Sequence, residues 1–139
     1  MSLSIRNQLS GTVASVEAGQ AMAVVRVRLD GGQDLTAAIT ADAVRELGIA
    51  AGTPVRALVK STEVALATGQ VGAVSIRNRL PGTVTGVTAG GAMADVRVAV
   101  AGAELAAAVT RDAVADLALA EGSEVVALIK STEVSLAVD

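Results

Sequence analysis

The sequence of 139 residues contains no cysteine, no histidine and no aromatic residue. The absence of cysteine excludes disulfides, thiolate zinc sites and thiol nucleophiles, and the absence of histidine removes the commonest general base and metal ligand. Most familiar catalytic sites are therefore excluded. We expect a protein that is not an enzyme, needs no cofactor and coordinates no metal ion directly through its side chains.

Nucleic acids and membranes are not expected partners either. The formal net charge is -3, no basic stripe is present, and there is no aromatic side chain to stack on bases. Charged residues and glycines interrupt the apolar residues, so no run is long enough to cross a bilayer as a helix. Residues 1–6 lack a basic segment followed by an apolar one, which predicts a cytoplasmic protein.

What the sequence does contain is an internal repeat with a period of about 70 residues. SIRNQL at 4–9 returns as SIRNRL at 75–80, and KSTEV at 60–64 returns at 130–134. We therefore predict a first module at 1–68 and a second module at 73–139, packed closely because the segment between them is short. The second copy lacks one residue where DGGQD at 30–34 becomes AGAE at 101–104, which indicates a surface turn.

Alternating apolar and polar residues predict β-strands in the first module at 4–17, 24–29, 35–40, 54–60 and 63–66. Gly11 could accommodate a bulge in the first strand, and Met22 and Met93 are expected to fill the core. A capping Thr40 and a closing Gly48 predict one two-turn helix. The fold class is thus mainly β, with two tandem OB-like five-stranded barrels, each with one short helix.

Each module can bury only a thin core of Val, Ala, Leu and Ile, because it has no aromatic side chain. Duplication provides some of the missing burial, and association of several chains would provide more. The sequence therefore predicts an obligate oligomer.

A set of polar residues recurs in both copies and consists of hydrogen-bond donors. In the first copy these are Ser4, Arg6, Asn7, Thr40, Lys60, Ser61 and Thr62. Such donors suit a tetrahedral dianion, since charge-assisted bonds replace its hydration shell. The backbone N–H groups that open the helix add donors, although Asp42 there would repel an anion unless it points to solvent. The same residues also fit a solvated sheet surface with ordinary turns, and that alternative stays open.

These motifs resemble the Mop domain, and two in tandem resemble a di-Mop molbindin. That family's members bind molybdate or tungstate between subunits and modules, so the resemblance implies a homotrimer with sites shared between subunits. Its implied oxyanion-binding residues, carried over by position and including main-chain donors on the helices, are Ser4, Arg6, Asn7, Thr40, Ala43, Val44, Lys60, Ser61 and Thr62 in the first copy and Ser75, Arg77, Asn78, Thr110, Ala113, Val114, Lys130, Ser131 and Thr132 in the second.

The resemblance favours a store or buffer for molybdate or tungstate. One alternative is the ligand-sensing or oligomerisation module of a molybdate-responsive regulator or transporter, against which we count the lack of a DNA-binding or ATPase segment in the sequence. A structural assembly domain and an oligonucleotide-binding barrel are further alternatives. Arg79, Pro81 and Arg111 replace Gln8, Ser10 and Ala41 in the second copy, which predicts unequal affinities of the two copies.

Overall fold

The computed structural model describes residues 2–139 and contains ten strands and two α-helices within that range. The first module comprises β1 (Asn7–Ala18), β2 (Met22–Leu29), β3 (Asp34–Thr40), α1 (Ala41–Leu47), β4 (Pro54–Val59), a 3-10 turn (Ser61–Glu63) and β5 (Ala65–Ala67). The second comprises β6 (Asn78–Ala89), β7 (Met93–Val100), β8 (Ala103–Thr110), α2 (Arg111–Asp116), β9 (Glu124–Ile129), a 3-10 turn (Ser131–Glu133) and β10 (Ser135–Ala137). We call the two 3-10 segments the first and second STE turns.

The mainly β fold with one short helix in each module is confirmed. Two strands begin later than predicted. The first strand begins at Asn7 rather than at Ser4, so Ser4 and Arg6 lie in the arm that precedes the strand. The fifth begins at Ala65 rather than at Glu63, which lies in the first STE turn. Within residues 2–139, no helix combines the length and the apolar character needed to span a membrane.

Two antiparallel five-stranded sheets form the structure, and they exchange their last strands. The first sheet has the order β10-β4-β1-β2-β3 and the second has the order β5-β9-β6-β7-β8. Ser135 of the second module pairs with Leu58 of the first, and Ala65 of the first pairs with Leu128 of the second. Each sheet therefore takes its fifth strand from the other module, which the sequence did not predict.

The core lies on the inner faces of the two sheets and follows the predicted alternation. In β2, Val25, Val27 and Leu29 are buried, whereas Arg26 and Arg28 are exposed. Because successive side chains of a strand point to opposite faces, this pattern buries one face of β2 and leaves the other to solvent.

Gly11 does not form the bulge of β1, because the register shifts between Val13 and Ser15 instead. A Cβ at Gly11 would lie 2.6 Å from the carbonyl oxygen of Arg28 on β2. The glycine is thus required by the close approach of a neighbouring strand.

The prediction that Met22 and Met93 fill the core was wrong. They are 49% and 48% exposed, respectively. Each opens its strand one residue before a buried alanine, Ala23 or Ala94, so the pleat turns the methionine outward.

Candidate functional site

Sheet register brings the predicted arginine and lysine of each module to the same place. Asn7 is paired with Val59 at the start of β1 and the end of β4, so Arg6 enters the sheet where Lys60 leaves it. The second module repeats this geometry, since Asn78 is paired with Ile129, next to Arg77 and Lys130. Antiparallel pairing thus joins two cations that lie more than fifty positions apart in the sequence.

In the second module, these residues line a cleft of about 230 Å³. Its lining residues are Ser75, Ile76, Arg77, Lys130, Ser131 and Thr132. Five of these six were predicted as anion donors. The structure therefore brings a guanidinium, an ammonium and three hydroxyl groups to one cleft, and the cleft has room for a small polyatomic anion.

Each arginine is held by the main chain of its own arm. Arg6 donates from Nε to the Ser4 carbonyl at 3.1 Å and from Nη2 to the Leu3 carbonyl at 2.7 Å. Arg77 makes the matching bonds to the carbonyls of Ser75 and Val74, at 3.1 and 2.8 Å. A guanidinium has five N–H donors, so three remain for a ligand while the other two fix the orientation.

The charge of these two arginines has no carboxylate partner within residues 2–139. Four other arginines do have one, namely Arg28, Arg45, Arg56 and Arg97, whereas within the same range Arg26, Arg79 and Arg111 do not. Arg28 binds Asp34, and that hydrogen bond, with the attraction between the charges, raises the pKa of the guanidinium. Arg97 binds Asp95, and its pKa is raised for the same reasons. The free positive charge of Arg6 and Arg77 therefore favours an anion from outside the chain.

Ser131 carries a polar atom without a hydrogen-bond partner in the wall of this cleft. Its Oγ is buried, and none of residues 2–139 bonds to it. Leaving a buried hydroxyl unbonded costs about 1–3 kcal/mol. A ligand oxygen in the cleft, reached by rotation about the side-chain bond, would remove that cost.

Thr62 lies at a second cleft, of about 200 Å³, where the two modules meet. Thr62 and Glu63 of the first STE turn line it together with Lys130 and Glu133 of the second module. Lys130 borders both clefts. The two glutamates make this second cleft less suited to an anion. Their proximity to the lysine was not predicted from the sequence.

The predicted threonines cap the helices. Thr40 Oγ1 accepts from the N–H of Ala43 at 3.1 Å, and Thr110 Oγ1 accepts from the N–H of Ala113 at 3.1 Å. The predicted main-chain donors at Ala43 and Ala113 are thus already bonded within their own helix ends. Each threonine hydroxyl keeps its own proton to donate.

Thr40 lies at the opposite end of its sheet from Arg6 and Lys60. It is paired with Met22, at the end of β2 that meets Ala18 of β1. Asn7, beside Arg6, is at the other end of β1, and twelve residues of strand cover about 36 Å of chain. The second module has the same arrangement. Within a single module, the threonine and the first residues of the helix, at 43–44 or 113–114, therefore lie far from the arginine and lysine of that module.

Asn7 and Asn78 join the modules together. The Asn7 amide donates to the Ala106 carbonyl at 2.9 Å and accepts from the Ala106 N–H at 2.7 Å. Asn78 makes the same pair of bonds with Thr36, at 2.8 and 2.7 Å. Both asparagines are almost fully buried, and their bonds imitate a β-ladder step across the module boundary. This structural role was not among those weighed from the sequence.

Comparisons with known proteins agree with the repeat. The TOBE domain model matches residues 3–66 and 74–136. The molybdenum-pterin-binding protein MopB of Rhodobacter capsulatus is 43% identical over 136 residues, covering 96% of this chain and 50% of MopB. The molybdenum transport protein ModE of Herbaspirillum seropedicae is 34% identical over 140 residues, covering 99% of this chain and 52% of ModE. The chain thus spans about half the length of these curated relatives.

A solved structure matches over the full length. The cytoplasmic molybdate-binding protein ModG, crystallised with molybdate bound, superimposes with a TM-score of 0.97 at 39% sequence identity, and the match covers all of both chains. This agreement includes the tandem arrangement as well as the fold of each module.

Proposed function

Since the chain belongs to the TOBE domain family, with two tandem copies, we propose that it binds molybdate, and tungstate through the same donors. The resemblance to Mop proteins noted from the sequence is confirmed by MopB and ModG. ModG is a molybdate-binding protein whose fold matches this chain over the whole of both chains. The proposal extends that property to this chain.

The observation that carries the proposal is the cleft formed by Arg77, Lys130 and three hydroxyl residues. One guanidinium and one ammonium balance the two negative charges of the anion. Charge-assisted hydrogen bonds are worth about 1.5–3 kcal/mol each. The metal centre arrives enclosed by four oxygens, so hydrogen-bond donors suffice and no bond is made or broken.

We propose that a neighbouring subunit completes each site, in a homotrimer. Thr40 and the start of α1 lie far along the sheet from Arg6 and Lys60, so another copy has to present them to a cleft. Met22, paired with Thr40 and half exposed, provides an apolar contact at that end. The proposed binding residues of both copies remain those named from the sequence. Among them, the N–H groups of Ala43 and Ala113 already bind the capping threonines, and the amides of Asn7 and Asn78 join the modules.

The biological role that fits these properties is a cytoplasmic store or buffer of molybdate without catalytic activity, built from binding units at 1–68 and 73–139. The similarity to ModE favours a second candidate, the ligand-sensing part of a longer regulator. A sensor would change its affinity for a partner when molybdate binds. A buffer would bind and release the anion with no such coupling.

Isothermal titration calorimetry with molybdate, tungstate and sulfate tests the proposed function. We expect saturable heat with molybdate and tungstate and loss of binding in the Lys60→Ala, Lys130→Ala double variant. Arg28→Gln, which removes a positive charge that is paired with Asp34, serves as the control. No heat with molybdate or tungstate at any protein concentration would contradict the proposal.

A further inference from the structure

Arg79 distinguishes the arms of the two modules. It is two residues after Arg77 and replaces Gln8 of the first module. Its Nη1 and Nη2 donate to the carbonyls of Val71 and Val74, at 3.5 and 3.3 Å. The Val74 carbonyl also accepts from Arg77 at 2.8 Å. The two guanidinium groups therefore share an acceptor next to the cleft that Arg77 lines.

The first module has a different arrangement at the same place. Gln8 donates to the Ile5 carbonyl at 3.1 Å and accepts from Nη1 of Arg56 at 3.0 Å. Arg56 also forms an ion pair with Asp139, so its charge is compensated. The second module has Val126 in place of Arg56. Each module thus has one arginine here, but only Arg56 is paired with a carboxylate within residues 2–139.

The second arm is held by arginines alone. In each module side chains bind three carbonyls of the arm, those of Leu3, Ser4 and Ile5 in the first and those of Val71, Val74 and Ser75 in the second. In the second module all of these bonds come from Arg77 and Arg79, and the Val74 carbonyl accepts from both. A guanidinium that is already in position loses less conformational entropy when a ligand binds. Fixed geometry and extra charge therefore act in the same direction in the second module.

Resting on the proposed function, we infer that the cleft of the second module is the higher-affinity molybdate site, and that Arg79 is the positioning residue responsible. Arg79 does not line the cleft. It acts on the anion through the long-range attraction of its charge and through the arm that carries Arg77. In the same cleft, the buried Oγ of Ser131 has no hydrogen-bond partner within residues 2–139, and a ligand oxygen would supply one.

The test measures each cleft separately by calorimetry with molybdate. Lys60→Ala isolates the proposed site of the second module, at Arg77 and Lys130, and Lys130→Ala isolates the proposed site of the first module, at Arg6 and Lys60. We expect tighter binding in the Lys60→Ala protein. Adding Arg79→Gln to it should weaken binding about fivefold at low salt, the order expected when one unit charge near a dianion is removed in a water-like medium. The control, Arg28→Gln in the same background, should change the affinity less than twofold.

Salt concentration and a conservative variant separate the effect of the Arg79 charge from the effect of its hydrogen bonds to the arm. The charge contribution should fall between 20 and 300 mM salt, since screening weakens it, whereas the contribution from fixing the arm should persist. Arg79→Lys keeps the charge without the two-pronged bonding, so we expect it to restore part of the affinity at low salt and less of it at high salt. Circular dichroism melting checks that each variant is folded.

The reciprocal variant transfers the feature to the first module. In the Lys130→Ala background, Gln8→Arg with Arg56→Val should strengthen molybdate binding at the proposed site of the first module. Equal affinities of the two modules, or an Arg79→Gln effect no larger than that of Arg28→Gln, would overturn this inference while the proposed function stands. A wild-type protein that binds no molybdate would overturn both.

Discussion

The two modules end their helices differently although the rest of the fold is the same. In the first module Gly48 closes α1 at a φ of 65°. In the second the matching residue is Ala118, which is held at a φ of 51° and is the one non-glycine residue with positive φ within residues 2–139. Duplication has kept the backbone path while the side chain best suited to it has been lost. The second module therefore carries strain that the first does not.

A second comparison concerns what has stayed identical. The cleft residues and the two module-joining asparagines have the same identity in both copies, while the differences lie around them, at positions such as 8 and 79. The shared residues predict that both copies offer an anion the same donors and join the modules in the same way. The surrounding differences predict that the two copies of the site differ in affinity. Substitutions at matching positions should either equalise the affinity or stability of the two modules or increase the difference between them.

The largest effect is expected from removing one lysine. Lys60→Ala and Lys130→Ala should each abolish one class of molybdate site, with a loss of about 10- to 100-fold in its affinity, because a charge-assisted bond is worth about 1.5–3 kcal/mol. Equilibrium dialysis should show half the wild-type stoichiometry for each variant. Full stoichiometry and affinity in both would exclude the lysines as ligands.

Replacement of either asparagine should destabilise the protein by a similar amount. Asn7→Ala leaves the buried N–H and C=O of Ala106 without these side-chain partners, and Asn78→Ala removes the same two bonds from the partly buried Thr36. We expect each to lower the free energy of unfolding by about 2–4 kcal/mol, from two unmade bonds, measured by urea denaturation. If only one variant is destabilised, the two junctions are not equivalent.

Alanine at Gly11 or Gly82 should also destabilise the sheets, by about 1–3 kcal/mol. The added Cβ would lie 2.6 Å from the Arg28 carbonyl oxygen in one case and 2.5 Å from that of Ala99 in the other. Gly86→Ala is the matched control, since its Cβ would meet nothing within 4 Å. Urea denaturation of all three should separate the control from the other two. Equal stability of the three variants would contradict the role of close strand approach.

Exchanging the residues that close the two helices should change the free energy of unfolding in opposite directions. Ala118→Gly relieves a left-handed alanine and should raise the free energy of unfolding by about 1 kcal/mol, whereas Gly48→Ala should lower it by a similar amount. Thermal unfolding of the two variants and of their combination provides the measurement. A stabilising Gly48→Ala would show that positive φ is not what selects glycine there.

The smallest effect is expected at the surface of α1. Arg45 forms an ion pair with Asp42 that α2 lacks, since the matching residue is Ala115. Both side chains are mostly exposed, and such pairs contribute about 0.5 kcal/mol or less. Arg45→Ala should therefore leave the melting temperature nearly unchanged. A loss above 1 kcal/mol would show that this pair distinguishes the modules after all.

The repeat and the alternation of residues such as Val25 and Arg26 were enough to predict the strands, the helix and the mainly β fold. They could not predict the strand exchange, because β5 and β10 have similar sequences and face nearly identical partners in β4 and β9. The alternation of residues within β2 places Met22 on the exposed face, whereas its hydrophobicity alone had suggested a place in the core.

For the candidate site, sequence spacing identified the residue types, but only sheet register shows that Arg6 meets Lys60 while Thr40 lies at the far end. The role of Asn7 depends on a partner 99 residues away. Contacts of that kind follow from packing between modules and leave no local pattern. The bonds of Arg79 reach back only to Val71 and Val74, but its residue type alone does not show that it donates to the arm.

The most direct test is a crystal structure of the protein with molybdate, using the anomalous scattering of molybdenum to locate the anion. We predict a peak between Arg77 and Lys130, and another between Arg6 and Lys60, each within hydrogen-bonding distance of a threonine from a neighbouring subunit. Clefts that hold only water at saturating molybdate would contradict the central claim.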